Sequence, residues 1–338
     1  MDEDLFADAA GQLLQDQCTP AQVRAIEAGG ASAELWRHLE EAGFADALVP
    51  QAQGGASLGL AQVFGVWTVC GAHVLPVPLA ETMVARALLA LAGVERPAGA
   101  IALAEGRLQA DGTLRCAPAR MGRVASNVLV AHDGGWQLLS VARAASQAAA
   151  FCLDAHLSWS AAEVAAAPRL PIALPAGLDL RTLHAALIAA QLAGALASVF
   201  DRTLRYANER NQFGRPIGKF QAIQHQLAVM SEHVFAARMA ARLGCESAGL
   251  YPERLRVAAA KARCSAAALA VAEAGHAIHG AIGFTEEYDL QLDTRRLHAW
   301  RQAAGSESYW HDVAGAALVD GHQGRTLDLL RAVSEPAA

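Results

Sequence analysis

Aromatic residues are scarce in this 338-residue chain, at 6%, so its core has to be built mainly from aliphatic side chains. Cysteine pairs are absent as well. Six cysteines stand at 18, 70, 116, 152, 245 and 264 with no CxxC spacing, which disfavours zinc and dithiol motifs and fits reduced, mostly buried thiols in a cytoplasmic protein. No basic stripe stands out against a formal net charge of −6, so no nucleic-acid partner is expected. No uncharged apolar run of about 18 residues is read along the chain, and a membrane-spanning helix is not expected. The first residues, MDEDLFADAA, are acidic and lack the basic-then-apolar layout of a signal peptide. No internal repeat is visible.

What the chain does have is apolar content, 54%, which excludes a disordered polypeptide. Much of it is alanine, the strongest helix former. Three textures follow one another. Residues 1–95 read as helical. Thr19-Pro20-Ala21-Gln22 has the form of an N-cap, a proline at the first helical position and a capping-box glutamine. Leu35, Trp36 and Leu39 share a helical face that Gly43 ends. Gly54-Gly55 breaks the chain, and 58–69 and 78–92 read as two more helices. Residues 96–175 hold strand-like runs at 101–104, 127–131 and 136–141, with turn signals at Asp111-Gly112 and Asp133-Gly134-Gly135. Residues 176–338 are helical again, with long stretches at 183–209, 222–250 and 252–279 joined by short loops. The expected fold is therefore α+β: an N-terminal helical domain, a small middle antiparallel β domain and a C-terminal four-helix bundle.

The most specific string is Arg210-Asn211-Gln212-Phe213-Gly214-Arg215-Pro216-Ile217-Gly218-Lys219-Phe220-Gln221. Gly214, Pro216 and Gly218 punctuate it as a tight turn. A guanidinium, free backbone N–H groups and a helix N-terminus come together there, a combination that suits a diphosphate. Phe213 could present a flat face to a purine. The plain alternative is an inter-helix turn with a solvated arginine. The string RNQFGRPIGKFQAIQHQLA resembles the R-x-Q-F-G-x-P-I-x-x-F-Q signature of acyl-CoA dehydrogenases. Trp36–Pro50 and Gly54-Gly55 resemble that family's N-terminal stretch, and the α–β–α order is also the family's.

The resemblance implies an FAD enzyme that oxidises the Cα–Cβ bond of an acyl-CoA and passes electrons to an electron-transfer flavoprotein. It implies that Arg210 reaches the diphosphate of an FAD held mainly by a neighbouring subunit. Gln212 and Phe213 match positions flanking that cofactor, and Gln221 lies toward its adenosine end. A second segment, residues 275–285, resembles the family's A-x-Q-x-x-G-G-x-G-F stretch. Gly280 and Gly283 match it; Ala277 stands in place of the glutamine and Ala281 in place of the second glycine.

The resemblance also implies where a catalytic base should be. Aligning Gly305-Ser306 with the family's G-T places Ala304 where a glutamate removes the α-proton of the thioester, and alanine accepts no proton. The family's alternative base position, on the first long C-terminal helix, is matched by Arg181. Glu307 is the leading substitute, ahead of Glu286, Glu287 and Asp293. The flavin-ring motifs of the middle domain are missing, with Trp159-Ser160 as an echo of one. His276, His279 and His298 have no metal-ligand spacing and read as ordinary packed or polar histidines.

Three readings remain. In the first, the chain resembles the short, base-lacking subunit of bacterial α2β2 acyl-CoA dehydrogenases, some acting on steroid side-chain CoA esters. It completes an FAD site for a homologous partner that supplies the base. The second is a self-sufficient dehydrogenase using Glu307. The third is a non-catalytic scaffold.

Overall fold

The computed structural model describes residues 3–133, 135–321 and 325–334. Five helices come first: α1 (Glu3–Gln17), α2 (Pro20–Glu27), α3 (Ala33–Glu41), α4 (Leu60–Ala72) and α5 (Leu79–Leu91). The Thr19 box is closed from both sides. Gln22 N–H donates to Thr19 Oγ1 at 3.4 Å, and Thr19 N–H donates to Gln22 Oε1 at 2.9 Å. Leu35, Trp36 and Leu39 are the buried face of α3, and Gly43 follows it at φ +79°.

Six strands then form one sheet: β1 (Ile101–Leu108), β2 (Leu114–Cys116), β3 (Asn127–His132), β4 (Gly135–Ser140), β5 (Ala145–Ala148) and β6 (Ala155–Trp159), in the order β4-β3-β1-β2-β6-β5. The sheet is mixed, where an antiparallel one was expected. β1 and β3 run parallel, from Ile101↔Asn127 to Glu105↔Ala131. The reason is topological: the hairpin from β1 into β2 returns the chain to the starting end of β1, and β3 departs from that same end on the other side. Asp111-Gly112 turns that hairpin, with Gln109 N–H donating to Thr113 O at 2.8 Å. At the β3–β4 turn Asp133 lies at φ +44°, and Gly134 is outside the described residues. One face of the sheet carries its core, with Leu114, Val128, Val130, Leu139, Leu157 and Trp159 buried together.

The rest is α6 (Ala161–Ala166), α7 (Leu180–Glu209), two-residue strands β7 (Asn211–Gln212) and β8 (Arg215–Pro216), α8 (Gln221–Gly244), α9 (Arg254–His279), α10 (Leu290–Gln302), α11 (Glu307–Ala316) and α12 (Thr326–Ser334). α8 stops at Gly244, short of the expected 250. The segment beyond it caps another helix. Gly249 O and Ser247 O accept from the N–H groups of Leu60 and Ala61 at 3.0 and 3.1 Å, satisfying donors that the first turn of α4 cannot pair internally. α7 is the one described helix long and apolar enough to span a membrane, although no uncharged apolar run of that length was read along the chain. Yet 78% of its most apolar window is buried, the signature of a core helix.

The chain divides into two compact units. One comprises residues up to Val63, Leu75–His184 and Ser247–Tyr251; the other comprises Phe64–Val74, Ala185–Glu246 and Pro252 onward. The first buries an ion pair between Glu81 and Arg120, both almost inaccessible to solvent. Burial alone would raise the Glu81 pKa, but Arg120 and His184 outweigh it, and the carboxyl is held below its usual range. In the second unit α9 packs against α8, α10 and α11. There α4 and α7 meet through glycines: a Cβ on Gly194 would lie 1.8 Å from Thr68 O, and one on Gly71 would lie 1.9 Å from Gln191 O.

Gly194→Ala should therefore destabilise the protein by about 1–3 kcal/mol or more, since the helices must part to admit a methyl group. Gly315→Ala, in α11 with open space around it, should be neutral or stabilising by up to about 1 kcal/mol. Urea midpoints measure both. Equal midpoints for the two variants would contradict the close helix approach.

Candidate functional site

α7 ends in a hairpin. Arg210 N–H donates to Tyr206 O, and Ile217 N–H donates to Arg210 O, each at 2.8 Å. β7 and β8 pair as Asn211↔Pro216 and Gln212↔Arg215, leaving Phe213 and Gly214 as the central residues at φ +52° and +79°. Two positive φ values are the mark of a type I′ turn, whose first central position favours Asn, Asp or Gly. A phenylalanine there is a conformational outlier, and its side chain is 91% exposed. Its described ring contact is an edge-on approach to Phe220 at 6.2 Å, itself covered by the Arg215 guanidinium at 4.2 Å. Arg210, Gln212 and Gln221 are also exposed. Gln221 opens α8, whose N-cap, Phe220, offers no side-chain acceptor.

The glycine turn closes α9. Gly280 sits at φ 65°, ψ −145°, a region essentially reserved for glycine. A Cβ there would meet nothing within 4 Å, so the backbone at Gly280 is open to close approach. Gly283 is the opposite case, buried so tightly that a Cβ would press on His279 Cβ at 3.0 Å and Leu290 Cδ2 at 3.1 Å. Beside this turn is an open, mainly apolar hollow of about 720 Å³, bounded by Glu273, His276, Ala277, Gly280, Phe284 and His298 among others. Ala277 and Ala281, the two departures from the expected motif, both line it; Ala277 is shorter than the glutamine it replaces and leaves room there, whereas Ala281 adds a methyl group where the motif has glycine. His276 stacks on Phe284 with centroids 4.4 Å apart and pairs through Nε2 with Thr294 Oγ1 at 2.9 Å. Burial, helped by His298, lowers its pKa.

The two turns belong to one end of the second unit. Tyr206, one helical turn before Arg210, stacks on His279 with ring centroids 4.4 Å apart. Its hydroxyl donates to His279 O at 3.3 Å. His279 is buried, and its Nδ1–H donates to Gly275 O at 2.8 Å while Nε2 faces Tyr288 Oη at 3.2 Å. Burial lowers the His279 pKa, keeping the ring neutral with Nε2 as an acceptor. One turn further back, Arg202 reaches Asp289 Oδ2 at 3.5 Å and Asp293 Oδ2 at 3.6 Å. Asp293 is thus a buried structural partner in this joint.

Ala304 lies between α10 and α11 at φ +53°, followed by Gly305 at φ +98°. The loop is held from beneath. Buried Lys261 donates from Nζ to Ser265 Oγ, Arg301 O and Gly305 O, all at 2.9 Å. Trp310 Nε1–H donates to Ala304 O at 2.9 Å. Ser306 caps α11, and Glu307, its first residue, is ion-paired with Arg301. Arg181 is ion-paired with Glu105, while Glu286 and Glu287 are exposed. Trp159 is a core residue whose indole N–H donates to Ser140 O at 2.8 Å, and Ser160 caps α6, so both have structural duties. Tyr206, Lys261 and the Glu81–Arg120 pair were not anticipated. A lone lysine in the alanine-rich stretch Val257–Ala268 was the one visible signal among them.

Residues 182–318 match the acyl-CoA dehydrogenase C-terminal domain. The acyl-CoA dehydrogenase IpdE2 of Mycobacterium tuberculosis is 31% identical over 303 residues, covering 88% of this chain and 91% of that one. Among solved structures, the fold is similar to a chain of the ChsE4-ChsE5 complex from Mycobacterium tuberculosis, with TM-score 0.80, 23% identity, and 95% and 99% of the two chains covered. It is also similar to a chain of the Tcur3481-Tcur3483 steroid ACAD G363A variant, with TM-score 0.79, 26% identity, and 94% and 98% covered.

The joint has a testable pH signature. Burial pushes the Asp293 carboxyl up to about 6 from an ordinary 3.8, against the pull of Arg202. The folded state thus keeps a proton that the unfolded chain releases, and this contribution to stability is lost as pH rises through that interval. In urea titrations, wild-type minus Asp293→Asn stability should fall from about pH 4 to about pH 6 and level off above. A difference that is flat or rises over that range would contradict the assignment.

Proposed function

The chain belongs to the acyl-CoA dehydrogenase family, and from that premise we propose that it is a subunit which completes an FAD site for a homologous, base-bearing partner. The observation that carries the reading is the Tyr206–His279 joint, which sets the Arg210 hairpin and the Gly280 turn at one end of the same unit. The residues there fit a dinucleotide. Arg210 would fork to phosphate oxygens, with the N-terminus of α8 adding its dipole. Phe213 offers an exposed ring to a purine, with Gln212 beside it and Gln221 toward the adenosine end. Gly280 lets the diphosphate approach its backbone, and Gly283 keeps the turn packed.

Held there, FAD would supply the hydride acceptor for oxidation of the Cα–Cβ bond of an acyl-CoA thioester. This chain does not remove the accompanying α-proton. Ala304 carries a methyl group at the base position, and Arg181 is a cation. Glu307 is neutralised by Arg301, which weighs against a relocated base. Two similar solved structures each pair two differently named chains, which supports a hetero-oligomer, here α2β2. One of the two is named as a steroid enzyme, which supports a steroid side-chain CoA ester as substrate. An electron-transfer flavoprotein is the proposed acceptor. Residues 1–95, 96–175 and 176–338 are the proposed functional domains.

In the co-expressed complex, Arg210→Ala should weaken FAD retention by about tenfold or more, the worth of one charge-assisted phosphate contact. Glu307→Gln should leave kcat within about twofold, since a carboxylate held in an ion pair with Arg301 is poorly placed to take a substrate proton. Flavin absorbance per complex and steady-state rates measure the two. Unchanged flavin content with Arg210→Ala would reduce the chain to a scaffold, and a large rate loss with Glu307→Gln would return the base to this chain.

A further inference from the structure

The sheet buries one face, and the opposite face carries a row of polar residues in register. β1 and β2 pair with Arg107 directly opposite Arg115. Leu114 and Cys116, on either side of Arg115, belong to the buried cluster, so Arg115 and Arg107 project from the other face, where both are exposed. Across the next ladder Arg115 is opposite Ser158, and Ser158 is opposite Ala145. Arg107, Arg115, Ser158 and Ala145 therefore cross four strands in one line. Two residues back along β6, on the same face, His156 is opposite Gln147.

Like charges directly opposite each other on a sheet are destabilising. The backbone sets how close these two are. Gln109 N–H donates to Thr113 O at 2.8 Å, and Ala117 N–H donates to Glu105 O at 3.2 Å. By the antiparallel alternation Arg107 and Arg115 form the hydrogen-bonded pair between them, with Cα atoms about 5.5 Å apart. The acids of these strands are engaged elsewhere. Glu105, on the same face as Arg107, is ion-paired with Arg181. Asp111, whose charge reaches Arg115, already accepts from Thr113 N–H at 2.9 Å. Among the described residues neither Arg107 nor Arg115 has an ion pair.

A groove of about 450 Å³ opens beside this row, lined by Arg115, Ser146, Gln147, His156 and Ser158 with neighbouring strand residues. That volume suits a small ligand. Its polar lining is a guanidinium, two hydroxyls, an amide and an imidazole, and among the described residues no acid borders it. Arg107 stands one strand spacing from Arg115, about 5 Å away, and adds a second cation at the end of the row.

We propose that this groove binds a small phosphate monoester. Such a group carries a charge of about −1.5 to −2 near neutral pH and three acceptor oxygens, which matches two opposed guanidinium groups and a hydroxyl. A single carboxylate would neutralise one arginine and leave the other unrelieved. Arg115 forks to two of the oxygens, Arg107 balances the remaining charge, and Ser158 donates to the third oxygen. The organic part of the ester lies over Ala145, between Gln147 and His156. The Arg210 and Gly280 turns belong to the other compact unit, and this site does not rest on the proposed cofactor role.

The test is isothermal titration calorimetry of the full chain with glycerol 3-phosphate, glycerate serving as its carboxylate counterpart. Glycerol 3-phosphate should bind saturably at one site, and glycerate at least about tenfold more weakly. Arg107→Gln and Arg115→Gln should each weaken the phosphate ester by about tenfold. Arg143→Gln, at an exposed arginine held by Glu163, and Arg210→Gln should leave its affinity unchanged. Circular dichroism checks that the variants keep the wild-type fold. Glycerol 3-phosphate should also raise the urea midpoint of the wild type but not that of Arg115→Gln. No saturable binding at millimolar concentration, equal binding of glycerate, or unchanged affinity in both folded arginine variants of the row would overturn the proposal. So would a loss of binding on Arg210→Gln, since the phosphate would then sit at the hairpin.

Discussion

The stacking of Tyr206 on His279 is the constraint on which the candidate site depends. Neither the arginine hairpin nor the glycine turn is a site alone. A guanidinium on a two-strand hairpin is ordinary, and so is a glycine ending a helix. The hydroxyl bond to His279 O and the ring contact set the last turn of α7 against the last turn of α9. The Nδ1 proton of His279, held by Gly275 O, fixes the ring that Tyr206 stacks on. Arg202 with Asp289 and Asp293 adds an ionic tie one turn deeper. Phe213 and Gly280 can then hold positions unfavourable to most side chains, because packing behind them determines the backbone.

The loop at Ala304 is likewise held by hydrogen bonds from behind it. An ammonium out of water costs several kcal/mol unless its protons find acceptors. Lys261 finds three, and two of them are the carbonyls of Arg301 and Gly305 that bracket the loop. Trp310 holds a third carbonyl, that of Ala304. The shape of the loop is thus maintained by groups that have no need of a carboxylate at its tip. The fold of the loop does not depend on a base, which is compatible with the proposed division of roles between two subunits.

Much of this was legible in the sequence. The Thr19 capping box, the buried face of α3, three of the strands and the Arg210 turn each rest on local patterns of a few residues. Other features were not legible, for reasons that can be named. β2, β5 and β6 are three to five residues long and too short for periodicity to register. The parallel β1–β3 pairing is a property of chain path, which no local pattern encodes. The apolar run of α7 looks alike whether it is covered by helices or by lipid, and only its burial identifies it as a core helix. Lys261, Tyr206 and the Glu81–Arg120 pair are polar groups with partners 39 or more residues away, Ser265 beside Lys261 excepted, and contact at that range leaves no mark on neighbouring sequence. Of the site residues, Arg210 was legible as a turn cation, but its relation to Gly280 depends on Tyr206, which no motif announced.

The central claim is that this chain holds half of a dehydrogenase site. The most direct measurement is native mass together with the flavin-to-protein ratio, taken for the chain alone and for the chain co-expressed with a base-bearing homologous subunit. The expected result is a hetero-oligomer with fewer flavins than subunits, and a colourless, inactive protein from the chain alone. A yellow, active homo-oligomer formed by this chain alone would contradict it.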